Sequence, residues 1–352
     1  MTSGLVAWFE DLGSGDVAVA GGKGANLGEL ARAGLPVPGG FVVTAAGYLA
    51  AMEATGARPR LQQAWDEVYG TLGDPAALAE AGSRLRGLVR DAGVPAEVRS
   101  AIVEAYHRLG PDVAVAVRSS ATAEDTAGTS FAGMHETFAG VVGDDDVVAR
   151  ILDCWASLYG ERAIAYRAAQ GLRDEPVIAV VVQRLVPADR AGVMFTVDPA
   201  SGDPDRLVVE GAFGLGEVVV SGQVEPDTYV VSRSADRVVA ARIGHQTHEL
   251  VDDGHGSVHR RELDGDRADA RVLTDEEALT VAHHGVAIEA HYGEPQDIEW
   301  AFADGRAFIL QARPITTLGP EPAETDTETD TETDTETDTE TETGGGVVLT
   351  GL

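Results

Sequence analysis

Lys23 is the single lysine of the chain, every other basic residue being arginine. It lies in Gly21-Gly22-Lys23-Gly24-Ala25-Asn26-Leu27-Gly28, where glycines let backbone amides approach a ligand and the opening of a helix favours an anion. A lysine there adds a compact, flexible charge that can follow a phosphate group, a task for which the planar fork of arginine is less suited. No Ser or Thr follows the lysine, so this is not a Walker A loop. Glycine turns also open helices that bind nothing, and the motif alone leaves that reading open.

A second constellation is Val117-Arg118-Ser119-Ser120-Ala121-Thr122-Ala123-Glu124-Asp125, continuing through Ser130-Phe131-Ala132-Gly133 to Thr137-Phe138. An arginine ending a strand, followed by hydroxyls and a small-residue loop, suits a phosphate clamp with a lid. The plainer alternative is a surface pair of Arg118 with Glu124 or Asp125. The third is Gln296-Asp297-Ile298-Glu299-Trp300 with Gln311-Ala312-Arg313-Pro314. On two strands joined at Asp304-Gly305, the period of two places Asp297, Glu299, Gln311 and Arg313 on one face. Two carboxylates, an amide oxygen and a guanidinium can hold a hard divalent cation and the phosphate it bridges. A solvent face with a cross-strand ion pair is the competing reading.

The elements that must position these groups follow from hydrophobic period and punctuation. Val17 to Ala20 reads as a strand, Gly21 to Gly24 as a turn and Ala25 to Ala33 as a helix. Helical patterns at Leu61–Leu72, Pro75–Ala92 and Pro95–Leu109 form a helical insert over about residues 61–109. Val113 to Val117 is a strand leading into the Arg118 loop, and Val147 to Ala169 a long helix. Strands follow at Val177–Val182, Ala191–Val197, Arg206–Gly211, Thr228–Ser232 and Val238–Ile243. A helix over Asp275–Tyr292 capped by Thr274 precedes a hairpin of Gln296–Ala303 and Ala307–Ala312. This is an α+β arrangement, not a doubly wound βαβ sheet.

Composition bounds the function. The chain has 352 residues, with 58 acidic against 26 basic and a net charge of −32, which disfavours binding to nucleic-acid backbones or anionic membranes. Residues 321–343 hold 11 of the acids and no basic residue. Thr-Asp-Thr-Glu repeats cannot build a core, so 318–346 reads as a disordered acidic linker. The lone Cys154 excludes an internal disulfide. With neither a leader pattern nor a membrane-length apolar run, the expected location is the cytoplasm.

Taken with Gly-Leu-Gly-Glu at 214–217 and Gln-Ala-Arg-Pro-Ile-Thr at 311–316, these motifs resemble the N-terminal ATP-binding domain of the phosphoenolpyruvate synthase, pyruvate phosphate dikinase and rifampicin phosphotransferase family. The resemblance spans residues 1–317 and keeps the family order. It implies an ATP-grasp fold with an N-terminal lobe over 1–200 and a C-terminal lobe over 201–317. Lys23 and Arg118 would hold ATP phosphates, with Gly133, Thr137 and Phe138 in the loop closing over them. Gln183 would lie at the adenine, beside an Arg184-Leu185-Val186 hinge. Glu299 and Gln311 would bind Mg2+, Arg313 would contact the terminal phosphates, and Asp297 and Glu217 would support them. Met134-His135 stands where relatives commonly have two Gln.

In the family, the β-phosphoryl group of ATP passes to a histidine on a separate swivelling domain and then to pyruvate or, in the rifampicin enzymes, to a drug hydroxyl. That histidine follows a Thr-x-x-His-Ala pattern, which none of the nine histidines here has. The ending Val-Val-Leu-Thr-Gly-Leu at 347–352 resembles the first strand of the swivelling domain. A histidine-bearing partner, on a separate chain or a further C-terminal part, is therefore implied. A nucleotide-binding regulatory protein without turnover is the reading from another class. The joint presence of Lys23, Arg118, Glu299, Gln311 and Arg313 argues against it.

Overall fold

The computed structural model describes residues 4–122, 136–253 and 257–315. All of them fall in one compact unit, Met1–Gly319. The expected linker and the segment 347–352 lie outside the described residues, as does Gly133. The architecture is mixed helix and antiparallel sheet, as the α+β reading anticipates.

The chain opens with β1 (Val6–Trp8), α1 (Val17–Arg32), β2 (Gly40–Val43) and α2 (Ala45–Ala54). Three helices follow, α3 (Arg58–Val68), α4 (Pro75–Ala92) and α5 (Ala96–Leu109), then β3 (Val115–Ala121), β4 (Thr137–Val141), α6 (Asp144–Ser157), α7 (Glu161–Ala169) and β5 (Ile178–Arg184). These strands form a five-stranded antiparallel sheet in the order β1-β2-β5-β3-β4. Next come β6 (Arg190–Phe195), β7 (Arg206–Phe213), α8 (Glu217–Val220), β8 (Asp227–Ser232), β9 (Arg237–Arg242), β10 (His248–Asp252) and β11 (Val258–Glu262). Then α9 (Gly265–Ala268), α10 (Asp275–Tyr292), β12 (Gln296–Ala303) and β13 (Arg306–Pro314) close the described chain. The second sheet has the order β13-β12-β6-β7-β8-β9, and β10 and β11 pair separately.

Side-chain alternation decides which face of each sheet meets which helices. On β5, Val180 and Val182 join a core built by the helical layer, with Tyr48, Trp65, Leu85, Ile102 and Trp155. Their neighbours Ala179 and Val181 pack instead with Leu27 of α1. Strand β5 is thus covered on both faces, which explains the unbroken apolar run where an edge or half-exposed strand would alternate. Leu30 of α1 belongs to the core of the second sheet, with Met194, Tyr229, Ile298 and Trp300. One helix therefore packs its successive faces against both sheets.

Two expected elements differ. Val17 to Ala20 is helical, the first turn of α1 before a break at Gly21. Four alternating residues are too few to specify a strand against the helix-forming alanines, and Val19 is 43% exposed, with no sheet to bury it. The long helix over 147–169 is instead α6 and α7, separated at Gly160, which opens the second helix as its N-cap. The insert helices, the Thr274 cap of α10 and the β12–β13 hairpin occur as expected, with Glu277 completing a capping box at Thr274 and a bulge between Glu299 and Trp300 in the hairpin. Among the described residues no helix is long and apolar enough to cross a membrane.

One buried carboxylate organises the far side of the second sheet. Asp227, fully buried, accepts from the Tyr229 hydroxyl at 2.6 Å, the Gly244 amide at 3.0 Å and the Val272 amide at 2.8 Å. Tyr229 in turn accepts from the Leu273 amide at 2.9 Å. Asp227→Ala would orphan three buried donors and should lower stability by about 3 kcal/mol or more. Urea unfolding monitored by tryptophan fluorescence measures it, and a loss under about 1 kcal/mol would contradict this account.

Candidate functional site

The helical layer occupies one face of the first sheet and α1 the other, and parity assigns the candidate residues. Val115 and Val117 of β3 face the helical layer, so Arg118 and Ser120 face α1 and the second sheet. Gln183 continues the Ala179–Val181 face of β5 and lies on the same side. Ser120 confirms the assignment: its hydroxyl donates to the Ala20 carbonyl at 2.8 Å and accepts from the Gly24 amide at 3.2 Å. At Gly21 the backbone turns through φ 68°, and a Cβ there would stand 2.3 Å from the Ser120 carbonyl oxygen. Strand and helix are thereby fastened on either side of Lys23.

In the sequence Ser120 is only one of several hydroxyls and Gly21 one of several glycines. The signal available was the Gly-Gly pair itself, which permits the positive φ and the close approach. Gly21→Ala should separate α1 from β3. The expected loss is about 2 kcal/mol or more of stability, with nucleotide binding weakened in parallel. Thermal unfolding and a nucleotide titration check it, and wild-type behaviour in both would overturn the fastening role.

The second sheet supplies the opposing groups. Asp297 stands opposite Arg313 and Glu299 opposite Gln311 in the β12–β13 register. Arg313 donates through Nε at 2.8 Å and through Nη2 at 2.7 Å to Asp297 Oδ2. Arg118 reaches across from the first sheet and donates to Glu299 Oε2 at 2.8 Å, the two side chains only 15% and 23% exposed. Burial pushes the Glu299 carboxyl up, but Arg118, Arg313 and Lys23 together hold it below the usual carboxylate range. At Asp297 burial prevails, raising the carboxyl despite Arg313, with Glu299 adding to the rise. Lys23 is half-buried and lies between Ala20 and Gly24, the two α1 residues that Ser120 holds two positions along β3 from Arg118. Guanidinium groups from β3 and β13 thus pair with two carboxylates on β12.

The chain matches the family described as pyruvate phosphate dikinase, AMP/ATP-binding domain, over residues 17–334. It belongs to that family. A probable phosphoenolpyruvate synthase of Methanothermobacter thermautotrophicus is 44% identical over 91% of this chain and 47% of the relative. The phosphoenolpyruvate synthase of Pyrococcus furiosus is 38% identical over 90% of the chain and 44% of the relative. A rifampicin phosphotransferase of a Streptomyces species is 40% identical over 93% of the chain and 38% of the relative. The chain thus spans less than half the length of these curated relatives.

For an AMP/ATP-binding domain the buried polar groups left unsatisfied on this side of the first sheet are informative. Gln183 is 3% exposed, yet its Nε2 has no hydrogen-bond partner, and Arg118 Nε is likewise buried and unpartnered. Buried donors are normally satisfied, so both fit a ligand that brings acceptors. For Mg2+ the donor chemistry is all oxygen, from Glu299 and Gln311. Asp297 is engaged by Arg313, and among the described residues no group of three His, Cys, Asp or Glu could hold a metal. A cation there would depend on phosphate oxygens and water to complete its shell, which is the usual habit of Mg2+.

Two expected residues stand apart from this group. Thr137, exposed on β4, is opposite Arg118, but Phe138 pairs with Val117 and packs toward the helical layer, with the Arg150 guanidinium 5.0 Å from its ring. Glu217 opens α8, is exposed, and makes no side-chain ion pair among the described residues.

Proposed function

We propose that this chain is the Mg-ATP-binding module of a phosphoenolpyruvate-synthase-like phosphotransferase, passing the β-phosphoryl group of ATP to a histidine on a separate domain or chain for transfer to pyruvate. The observation that carries the reading is the meeting of Arg118 and Glu299 from two sheets, with Lys23 on the turn of α1 that Ser120 fastens to the strand of Arg118. An ATP-grasp cleft between lobes 1–200 and 201–317 is the fold that accords with it.

Lys23, Arg118 and Arg313 would lie along the phosphates and offset the charge that shifts as the β-phosphoryl group moves. Gln183, through its unpartnered amide, would read the adenine edge, with the Arg184-Leu185-Val186 backbone beside it. Glu299 and Gln311, seconded by Asp297, would hold Mg2+, which when bound withdraws charge from phosphate oxygens. Closure of the loop containing Gly133, with Thr137 at its base, would exclude water from the transfer. The accepting histidine gains the β-phosphoryl group, the nucleotide leaves as AMP and the γ-phosphoryl group goes to water or to a phosphate ion, so the chain works with a histidine-bearing domain and an acceptor-binding domain. The likeness to a rifampicin phosphotransferase favours a second reading in which the acceptor is an antibiotic hydroxyl. The nucleotide step is the same in both.

Incubation with Mg-ATP labelled at the β-phosphate, with a histidine-domain protein present, tests the proposal. Label should appear on that protein's histidine. Tight ATP binding without transfer to any such protein would leave a nucleotide binder and remove the phosphotransferase.

A further inference from the structure

In the cleft as it stands, the groups that would take phosphate and the group that would take metal are spent on one another. Arg118 is bonded to Glu299 at 2.8 Å, and it is drawn there from a different sheet, 181 residues away. Both side chains are more than three-quarters buried, and Arg118 Nε has no acceptor. The contact therefore satisfies the charge of Arg118 but not its full donor set. A phosphate, with several acceptor oxygens, could satisfy both donors in a way the observed single-oxygen contact does not.

Exchanging the carboxylate for a phosphate leaves Glu299 as an uncompensated, largely buried anion facing a polyanion. That state is unfavourable unless a cation takes the carboxylate at the same time. Conversely, a cation arriving alone must compete with Arg118 for Glu299 and leaves the guanidinium unpaired. We infer that the Arg118–Glu299 pair is an exchange latch that couples the two ligands: it makes metal-free nucleotide and nucleotide-free metal each bind poorly, and the two together bind well. The inference rests on the nucleotide-site reading above and adds to it the order of exchange and the residues responsible. Glu299 then has a role beyond ligation, since it repels nucleotide that arrives without its cation.

The coupling must be reciprocal, because each ligand raises the affinity of the other by one and the same factor. A factor of about ten or more is expected, within the usual range for linked sites. Glu299→Gln abolishes the carboxylate's competition for Arg118 and its repulsion of phosphate. A residue acting only as a metal ligand would, on the same substitution, weaken Mg-ATP binding and leave metal-free ATP unchanged.

The experiment is calorimetric titration of the full chain with ATP in EDTA and with ATP in excess Mg2+, for wild type and Glu299→Gln. A companion titration with Mn2+ alone, read by electron paramagnetic resonance, compares wild type with Arg118→Met. Metal-free ATP should bind Glu299→Gln about tenfold more tightly than wild type, and the metal preference should largely vanish. Mn2+ without nucleotide should bind Arg118→Met about tenfold more tightly. If Arg118→Met does not fold, the Glu299→Gln arm decides alone. Unchanged or weaker binding of metal-free ATP to a folded Glu299→Gln protein overturns the latch while leaving the nucleotide site in place. Absence of ATP binding by the wild type under both conditions overturns the site reading and the latch together.

Discussion

Lys23→Ala should reduce transfer of the β-phosphoryl group to a histidine-domain protein by on the order of 10² or more, the scale set by removal of one preorganised charge from a transition state. The side chain begins two residues beyond the Gly21 break, on a turn that Ser120 fastens to β3. That turn adjoins the strand whose Arg118 pairs with Glu299, so on the proposed reading its ammonium would act on the same phosphates as Arg118 and Arg313. Stability should change by less than about 1 kcal/mol, because the residue is half-buried and not part of either core. Lys23→Arg keeps the charge but substitutes a planar fork for a compact ammonium, and should recover only a minor part of the rate. Single-turnover transfer from β-labelled Mg-ATP measures both variants. Transfer by Lys23→Ala within threefold of wild type would remove this residue from the chemistry.

The parts of this site that the sequence discloses are those in which geometry is set locally. Asp304 and Gly305 both take positive φ, 50° and 71°, the conformation that a two-residue hairpin turn of this composition favours. That turn sets Ala303 opposite Arg306 through to Trp300 opposite Ile309, a register that would carry Glu299 to Leu310; a bulge between Glu299 and Trp300, which the turn does not encode, shifts it by one residue and brings Glu299 beside Gln311 and Asp297 beside Arg313. The Thr274 cap of α10 is legible because, like the turn, it is set within a few residues of chain.

Other features depend on contacts that no local pattern encodes. Val17 to Ala20 alternates like a strand, but over only four residues, and it forms the first turn of α1 before the break at Gly21. Strands β1, β2, β4, β10 and β11 are short, and periodicity over so few residues is weak. The acids near Arg118 in sequence, Glu124 and Asp125, lie outside the described residues, and among the described residues its partner is Glu299 on the other sheet. Family resemblance supplied both residues as functional; only the fold supplies their contact. Phe138 shows the converse, since its motif position suggests the cleft while strand parity turns its ring toward the helical layer.

Arg118→Ala should produce the largest loss of function, and it should do so through two effects that a second substitution separates. Removing the guanidinium deletes a phosphate contact and leaves Glu299, with 23% of its side chain exposed, without its nearest counter-charge. Breaking such a largely buried pair from one side costs about 3 kcal/mol or more. The transfer rate should fall by on the order of 10³, since loss of a stabilising donor and misplacement of the metal-side carboxylate act together. In Arg118→Ala/Glu299→Gln the unpaired charge is gone, so most of the lost stability should return, giving a coupling energy of about 1 to 3 kcal/mol between the two sites. Phosphoryl transfer should not return, because neither the phosphate contact nor the carboxylate is restored. Urea denaturation of the four proteins of this cycle, together with β-label transfer, reads the two effects independently. If the double variant stays as unstable as Arg118→Ala, the 2.8 Å contact contributes nothing to folding. If instead transfer recovers along with stability, Arg118 serves the fold and not the phosphate, and the cleft's chemistry would have to be assigned to Lys23 and Arg313 alone.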